Sequence, residues 1–322
     1  MKYVRSHWFV FLLLLTVLIV IIAEIIFHAV QRKRVNDQKD KLTTLIPDYH
    51  TLSNSAFDQQ ILYGRELVIN TSLYFGPNGS LHKANGLNCQ DCHQEAGTKP
   101  YGNNFLGVAA TYPKFRERSG GVETINRRLS DCFKRSLAST EADTSSAELK
   151  AISAYIMWTG KNIPGNLHIE GTGAKEIDYI NRAADSASGQ TIYITRCKSC
   201  HGSNGEGQPS DNPKRFRYPP LWGAKSYAVS AGMYRLSKLA AYVRNNMPPG
   251  GSFQHPQLIN EEAWDVAAYI NSQPHPMIQF AGDWPVLSTK PVDYPFGPYA
   301  DNFSETQHKY GPFKPILDQR HR

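Results

Sequence analysis

Four of the five cysteines stand in two copies of one motif: "CQDCH" at Cys89, Cys92 and His93, and "CKSCH" at Cys197, Cys200 and His201. Two thiols at this spacing can add across the vinyl groups of a haem, and the histidine that follows reaches the iron from the proximal side, so C-x-x-C-H is an attachment pattern for c-type haem. A lone C-x-x-C could equally be a redox dithiol or part of a zinc site. Two copies with both histidines in register favour two covalently attached haem c groups. Cys132, the fifth cysteine, then has no partner for an intramolecular disulfide.

An iron held by one histidine needs a second axial ligand or an open position. After the second motif the candidate is Met247 in "NNMPPG", 46 residues beyond His201. Met233 in "SAGMYRL" competes with it, and a buried methionine is commonly core filler. After the first motif, Met157 falls within a helical pattern and reads as core. Cys132, 39 residues beyond His93, offers a thiolate instead. Thiolate pushes electron density onto iron, whereas methionine opposite histidine raises the potential. The two haems would then have unequal tasks: a low-potential site and an electron relay.

The plain alternative makes Cys132 a small buried apolar side chain. Its neighbours speak against that. "RERSGGVETINRRLSDCFKRS" gathers Arg116, Arg118, Arg127, Arg128, Lys134 and Arg135. A helix over residues 122–136 would place Arg128, Cys132 and Ser136 on one face at spacings of four. Positive charge favours the thiolate, and a guanidinium fork grips an oxyanion through two parallel hydrogen bonds. Together they describe a site for a sulfur-containing anion.

Helices must position these groups. "FDQQILYGRELVINTSLYFG" and "SSAELKAISAYIMWTG" carry apolar residues at spacings of three and four, with Ser145 or Ser146 as an N-cap and Gly160 as a stop. "ASGQTIYITRCKSCHG" leads directly into the second motif, and "NEEAWDVAAYINSQ" closes that half. The closing helices share one order of apolar and aromatic positions, so the pattern of helix, haem motif, loops and closing helix occurs twice. The expected fold is all-α: two tandem class I cytochrome c domains with an N-terminal transmembrane helix and an extended C-terminal tail. The boundaries are an anchor at 1–30, a linker at 31–50, the first domain at 51–165, a linker at 166–185, the second domain at 186–280 and the tail at 281–322. The tail is rich in proline, glycine and aromatics, and those aromatics argue for packing over the domains rather than disorder.

"HWFVFLLLLTVLIVIIAEIIFHAV" is long enough to cross a bilayer as a helix. It exceeds a signal peptide's apolar region and has no A-x-A site after it, which favours an uncleaved anchor. Haem attachment places the body outside the cytoplasm, against the positive-inside tendency of "QRKR". The expected location is the bacterial inner membrane, with the body facing the periplasm. The net charge is +7, but residues 1–41 hold seven basic and three acidic side chains and so account for +4 of it. The remaining +3 gives no support to a nucleic-acid partner. Of the other histidines, His50, His82, His168, His255, His275 and His308 read as surface or structural.

With these residues in place, the chain resembles the dihaem thiosulfate dehydrogenases. "YPKFRERSGGVETINRRLSDCFKRSL" resembles the signature around their active-site haem, and "PPLWGAKSYAVSAGMYRL", "NNMPPGG" and "KPVDYPFGPYADNFSETQHKYGPF" resemble the rest. The resemblance implies interconversion of two thiosulfates and tetrathionate with two electrons, some members favouring tetrathionate reduction. It implies His93 and Cys132 as ligands of haem one, and His201 and Met247 as ligands of haem two. It carries the substrate-contacting roles to Arg118, Arg128 and Ser136. Asn246 stands where some relatives have a lysine that can replace the methionine, which argues against a ligand switch here. The implied redox partner is a small cytochrome c or a quinone-linked membrane protein. A non-catalytic dihaem electron-transfer cytochrome is the alternative; it needs neither the lone cysteine nor the arginines.

Overall fold

The computed structural model describes residues 2–81, 84–139, 143–165 and 169–320; His82 and His168 lie outside the described residues. The helices in chain order are α1 (Lys2–Leu45), α2 (Ala56–Ile69), α3 (Thr71–Phe75), the single turn α4 (Gln94–Gly97), α5 (Ile125–Arg135), α6 (Ala147–Thr159), α7 (Ser186–Arg196), α8 (Lys198–His201), α9 (Leu236–Asn246), α10 (Asn260–Ser272), α11 (Glu305–Tyr310) and α12 (Lys314–Arg320). Two short antiparallel ribbons complete the fold: β1 (Lys114–Arg116) with β2 (Gly121–Glu123), and β3 (Gln208–Pro209) with β4 (Phe216–Tyr218).

Each half is built on one crossing, α2 on α6 and α7 on α10, and a glycine sets both. A Cβ on Gly64 would lie 2.0 Å from the Ala151 carbonyl oxygen, and one on Gly189 would lie 1.9 Å from that of Asp265. The missing Cβ lets the two backbones touch. Tyr155 and Tyr269, each four residues further along its helix, flank the two contacts. The shared pattern of the closing helices is therefore a packing motif that occurs once in each half.

The cores are contiguous rather than separate. Leu67, Phe75, Phe133, Ile152 and Tyr155 fill the first, and Tyr227, Val229, Ala231 and Tyr234 from the second half of the chain join them. Leu236, Trp264, Val266 and Ile270 fill the second, and Val292, Phe313 and Ile316 from the tail join those. The tail thus packs over the body, but it also forms α11 and α12 where polar caps permit: Ser304 accepts from the Gln307 N–H to start α11.

Two sequence expectations shift. The helix bearing Cys132 begins at Ile125 rather than near Val122, because Val122 pairs with Phe115 in the β1–β2 ribbon. Thr124 then caps α5 by accepting from the Arg127 N–H. The 31–50 segment is helical as far as Leu45, which makes α1 a single 44-residue helix. Its stretch Phe11–Gln31 is long and apolar enough to cross a membrane and is not buried by the body. Its far end is buried: Leu42 packs with Leu106, Ile163 and Ile169.

Candidate functional site

Two cavities flank the seam between the halves. The first, about 390 Å³, is lined by Cys89, Cys92, His93, Arg116, Arg118, Arg128, Cys132, Ser136 and Trp284 among others. The second, about 330 Å³, is lined by Cys197, Cys200, His201, Met247 and Met233. Leu87, Cys92, Tyr227, Met233 and Tyr242 line both, so only a single layer of side chains separates them. Met233 belongs to that layer, whereas Met247 stands at the C-terminal end of α9 and lines the second cavity alone. Met157 lies on α6 outside both linings.

Both motif histidines are oriented in the same way. The Nδ1–H of His93 donates to the Asn103 carbonyl, and that of His201 donates to the Pro219 carbonyl at 2.8 Å. Each bond fixes the tautomer that leaves Nε2 as a lone pair for a metal. Burial drives the His93 pKa down to about 4, against the Asn103 hydrogen bond, and also lowers that of His201. Both imidazoles are neutral at pH 7, as metal ligation requires. Burial likewise pushes the Cys89 and Cys92 thiols up to about 12. Among the described residues no cluster of three or more His, Cys, Asp and Glu side chains could hold a bare metal ion. A thiol pair, a histidine aimed by its other nitrogen and a further sulfur at each cavity suit a covalently held haem better than zinc.

Cys132 reaches the first cavity from α5. Arg128, one turn earlier, and Ser136, at the C-cap, line it as well. Leu129 and Phe133 pack into the core beside the cavity wall, which they also line, and Phe133 meets Phe75 edge to face at 4.8 Å. That packing holds the polar face of α5 toward the cavity. The negative charge of an ionised Cys132 is the largest influence on Arg128 and raises its pKa against the cost of burial. Arg118 arrives from elsewhere, on the turn between β1 and β2. Burial, and then the nearby charge of Arg135, bring its pKa down to about 10, so it stays cationic at pH 7.

The surroundings of Arg118 include residues that sequence reasoning did not single out. Its Nη1 donates to the Ser230 carbonyl at 3.2 Å, and its guanidinium lies 5.2 Å from the Trp284 ring centre and 5.9 Å from that of Tyr294. The Trp284 N–H donates to the Arg118 carbonyl at 2.8 Å. Trp284 has a φ of 62°, a left-handed conformation that only a well-determined surrounding sustains in a bulky residue. A Cβ on Gly120 would fall 2.6 Å from the Pro285 ring, so the hairpin turn seats directly on the tail. The aromatic "GDWP" stretch was the available signal, but nothing in it names the arginine it meets.

Residues 80–164 match the SoxA/TsdA cytochrome c domain, and residues 186–274 match cytochrome c. A thiosulfate dehydrogenase of Allochromatium vinosum is 32% identical over 238 residues, covering 73% of this chain and 85% of the relative. The chain belongs to the thiosulfate dehydrogenase family. A solved thiosulfate dehydrogenase (TsdBA) from Marichromatium purpuratum, in its as-isolated form, shares the fold with a TM-score of 0.64 at 29% identity. That match covers 70% of this chain and 48% of the solved one, so this chain spans about half its length. The L-cysteine S-thiosulfotransferase subunit SoxA of Rhodovulum sulfidophilum is 27% identical over 132 residues, 39% of this chain. The thiosulfate dehydrogenase match thus extends across both cytochrome c domains, whereas the SoxA match is much shorter. Asn246, which precedes Met247, is buried and donates to the Tyr242 carbonyl at 3.2 Å.

Proposed function

We propose that this protein interconverts two thiosulfate ions and tetrathionate plus two electrons at the first cavity. The observation that carries the reading is the convergence of Cys132, Arg118, Arg128 and Ser136 on the cavity that also holds Cys89, Cys92 and His93. Cys89, Cys92, His93 and Cys132 would hold haem one, and Cys197, Cys200, His201 and Met247 would hold haem two. When bound, the two haem c groups supply two one-electron acceptors, which matches the two electrons released.

The chain's own residues perform the sulfur chemistry. Arg118 and Arg128 fork the sulfonate oxygens and offset the repulsion between two dianions. Ser136 adds a hydroxyl donor at the end of α5. The Cys132 thiolate and the outer sulfur of one thiosulfate form a sulfur–sulfur bond as two electrons leave. The outer sulfur of a second thiosulfate then attacks the sulfur bound to Cys132. Tetrathionate forms and Cys132 departs as thiolate, so no proton or further oxidant is needed. The reverse sequence reduces tetrathionate. Electrons pass to or from a small cytochrome c or a quinone-linked membrane protein. The span in α1 anchors the body at the outer face of the bacterial inner membrane.

The test is an assay of the haem-loaded protein in both directions: thiosulfate with an artificial acceptor, and tetrathionate with a reduced viologen. Turnover that collapses in Cys132→Ala supports the reading. Absence of turnover in either direction, with both haems intact, would overturn it in favour of an electron-transfer cytochrome.

A further inference from the structure

Asp283 lines neither cavity, yet it joins two arginines of the first domain. Arg135, at the end of α5, grips it with both Nη atoms at 2.6 and 2.7 Å. The Arg118 Nε lies 4.0 Å from the Asp283 carboxylate. All three side chains are buried, at 10% exposure or less. The arrangement is asymmetric in a useful way. A carboxylate paired with Arg118 alone would quench the charge that an anion needs. Here the fork from Arg135 balances the charge of Asp283, so the trio keeps one net positive charge. Arg118 is the member that reaches the cavity; Arg135 faces away, with its guanidinium 4.1 Å from the Phe280 ring centre.

We infer that Asp283 is a positioning residue for Arg118, so that the C-terminal tail completes the anion site. The inference rests on the functional reading above, in which Arg118 binds a sulfonate. Asp283 faces the Nε edge of the guanidinium as an ion pair at 4.0 Å, too long for a hydrogen bond, the Ser230 carbonyl takes one Nη1 hydrogen, and the backbone of the next residue, Trp284, ties down the hairpin turn. The fork is thereby aimed before substrate arrives, which reduces the ordering cost of binding.

Asp283→Asn tests this in the haem-loaded full chain. Because it leaves the buried Arg135 charge unpaired, the double variant Asp283→Asn/Arg135→Gln is measured beside it. Both should raise the KM for thiosulfate about ten-fold, the loss expected for one well-aimed charged hydrogen bond. The kcat should stay within about two-fold, because the interaction is made equally in ground and transition states. The visible spectrum of each haem should be unchanged, and Asp283→Glu should recover part of the KM. An active wild type whose folded variants keep its KM, or lose kcat at unchanged KM, overturns this inference alone. An inactive wild type overturns the functional reading and this inference with it.

Discussion

Cys132 and Arg128 lie one helical turn apart on α5 and face the same cavity. If that thiolate carries the chemistry, Cys132→Ala should lower turnover at least about a thousand-fold, as loss of a nucleophile does elsewhere. Thiosulfate oxidation measured with an artificial acceptor checks this. Arg128→Lys keeps the charge and discards the fork, and lysine does not replace arginine where two parallel bonds are made. It should cost about ten-fold in kcat/KM, and Arg128→Leu more. The motif cysteines, their histidines and the Arg128–Cys132–Ser136 face were legible in the sequence because their geometry is local: spacings of three and four decide it. Asp283 and Trp284 were not. Arg135 and Asp283 are separated by 148 residues, and Arg118 and the Ser230 carbonyl by 112. No periodicity encodes contacts of that range.

Among the elements, the two glycine crossings and the tail hold the site's frame. Gly189→Ala would force a methyl group against the Asp265 carbonyl, where the gap is 1.9 Å. It should destabilise the second domain by about 3 kcal/mol, the upper end of ordinary overpacking; chemical denaturation followed by the loss of helical circular dichroism would read it. Asp293 ties the tail to α9. It accepts from Arg235 at 2.6 and 2.9 Å and from the Ser237 N–H at 3.0 Å, so the tail caps a helix whose own N-cap side chain makes no capping bond. Burial alone would raise its pKa, but Arg235 and Ser237 outweigh burial and hold it below the ordinary 3.8. A depressed carboxylate contributes stability that is present above its unfolded value and is lost as pH falls through its folded one. The acid limb of the wild-type stability curve should therefore steepen below 3.8, and Asp293→Asn should flatten that limb. At neutral pH the same variant should cost about 3 kcal/mol, because Arg235 is left half-buried and unpaired. The ribbon before α5 shows why the helix start was misplaced from sequence: Val122 fits a helix or a strand, and its pairing with Phe115 decides the matter.

For the whole molecule, α1 poses a question of placement. It presents an apolar stretch at Phe11–Gln31 and then runs without a break to Leu45, where Leu42 is fully buried against Leu106, Ile163 and Ile169. An anchor joined by a flexible stalk would let the body roam over the membrane. With Phe11–Gln31 spanning the bilayer as proposed, a continuous helix whose end is packed into the first domain would instead fix the body's distance from the membrane and its orientation. That matters for electron exchange with a membrane partner and should not matter for the binding of a small anion. Replacing residues 1–35 with a cleavable export signal keeps Leu42, Leu45 and Ile46 in their packing. The shortened protein should appear in the soluble periplasmic fraction with an unchanged melting temperature. Its KM for thiosulfate with a soluble artificial acceptor should match that of the full chain. Its rate in isolated membranes, where a quinone-linked partner must be found by diffusion, should fall several-fold, by the loss of effective concentration that tethering provides. Equal rates in membranes would mean that the helix serves only to retain the protein, and a raised KM would mean that the docked end of α1 helps to shape the first domain.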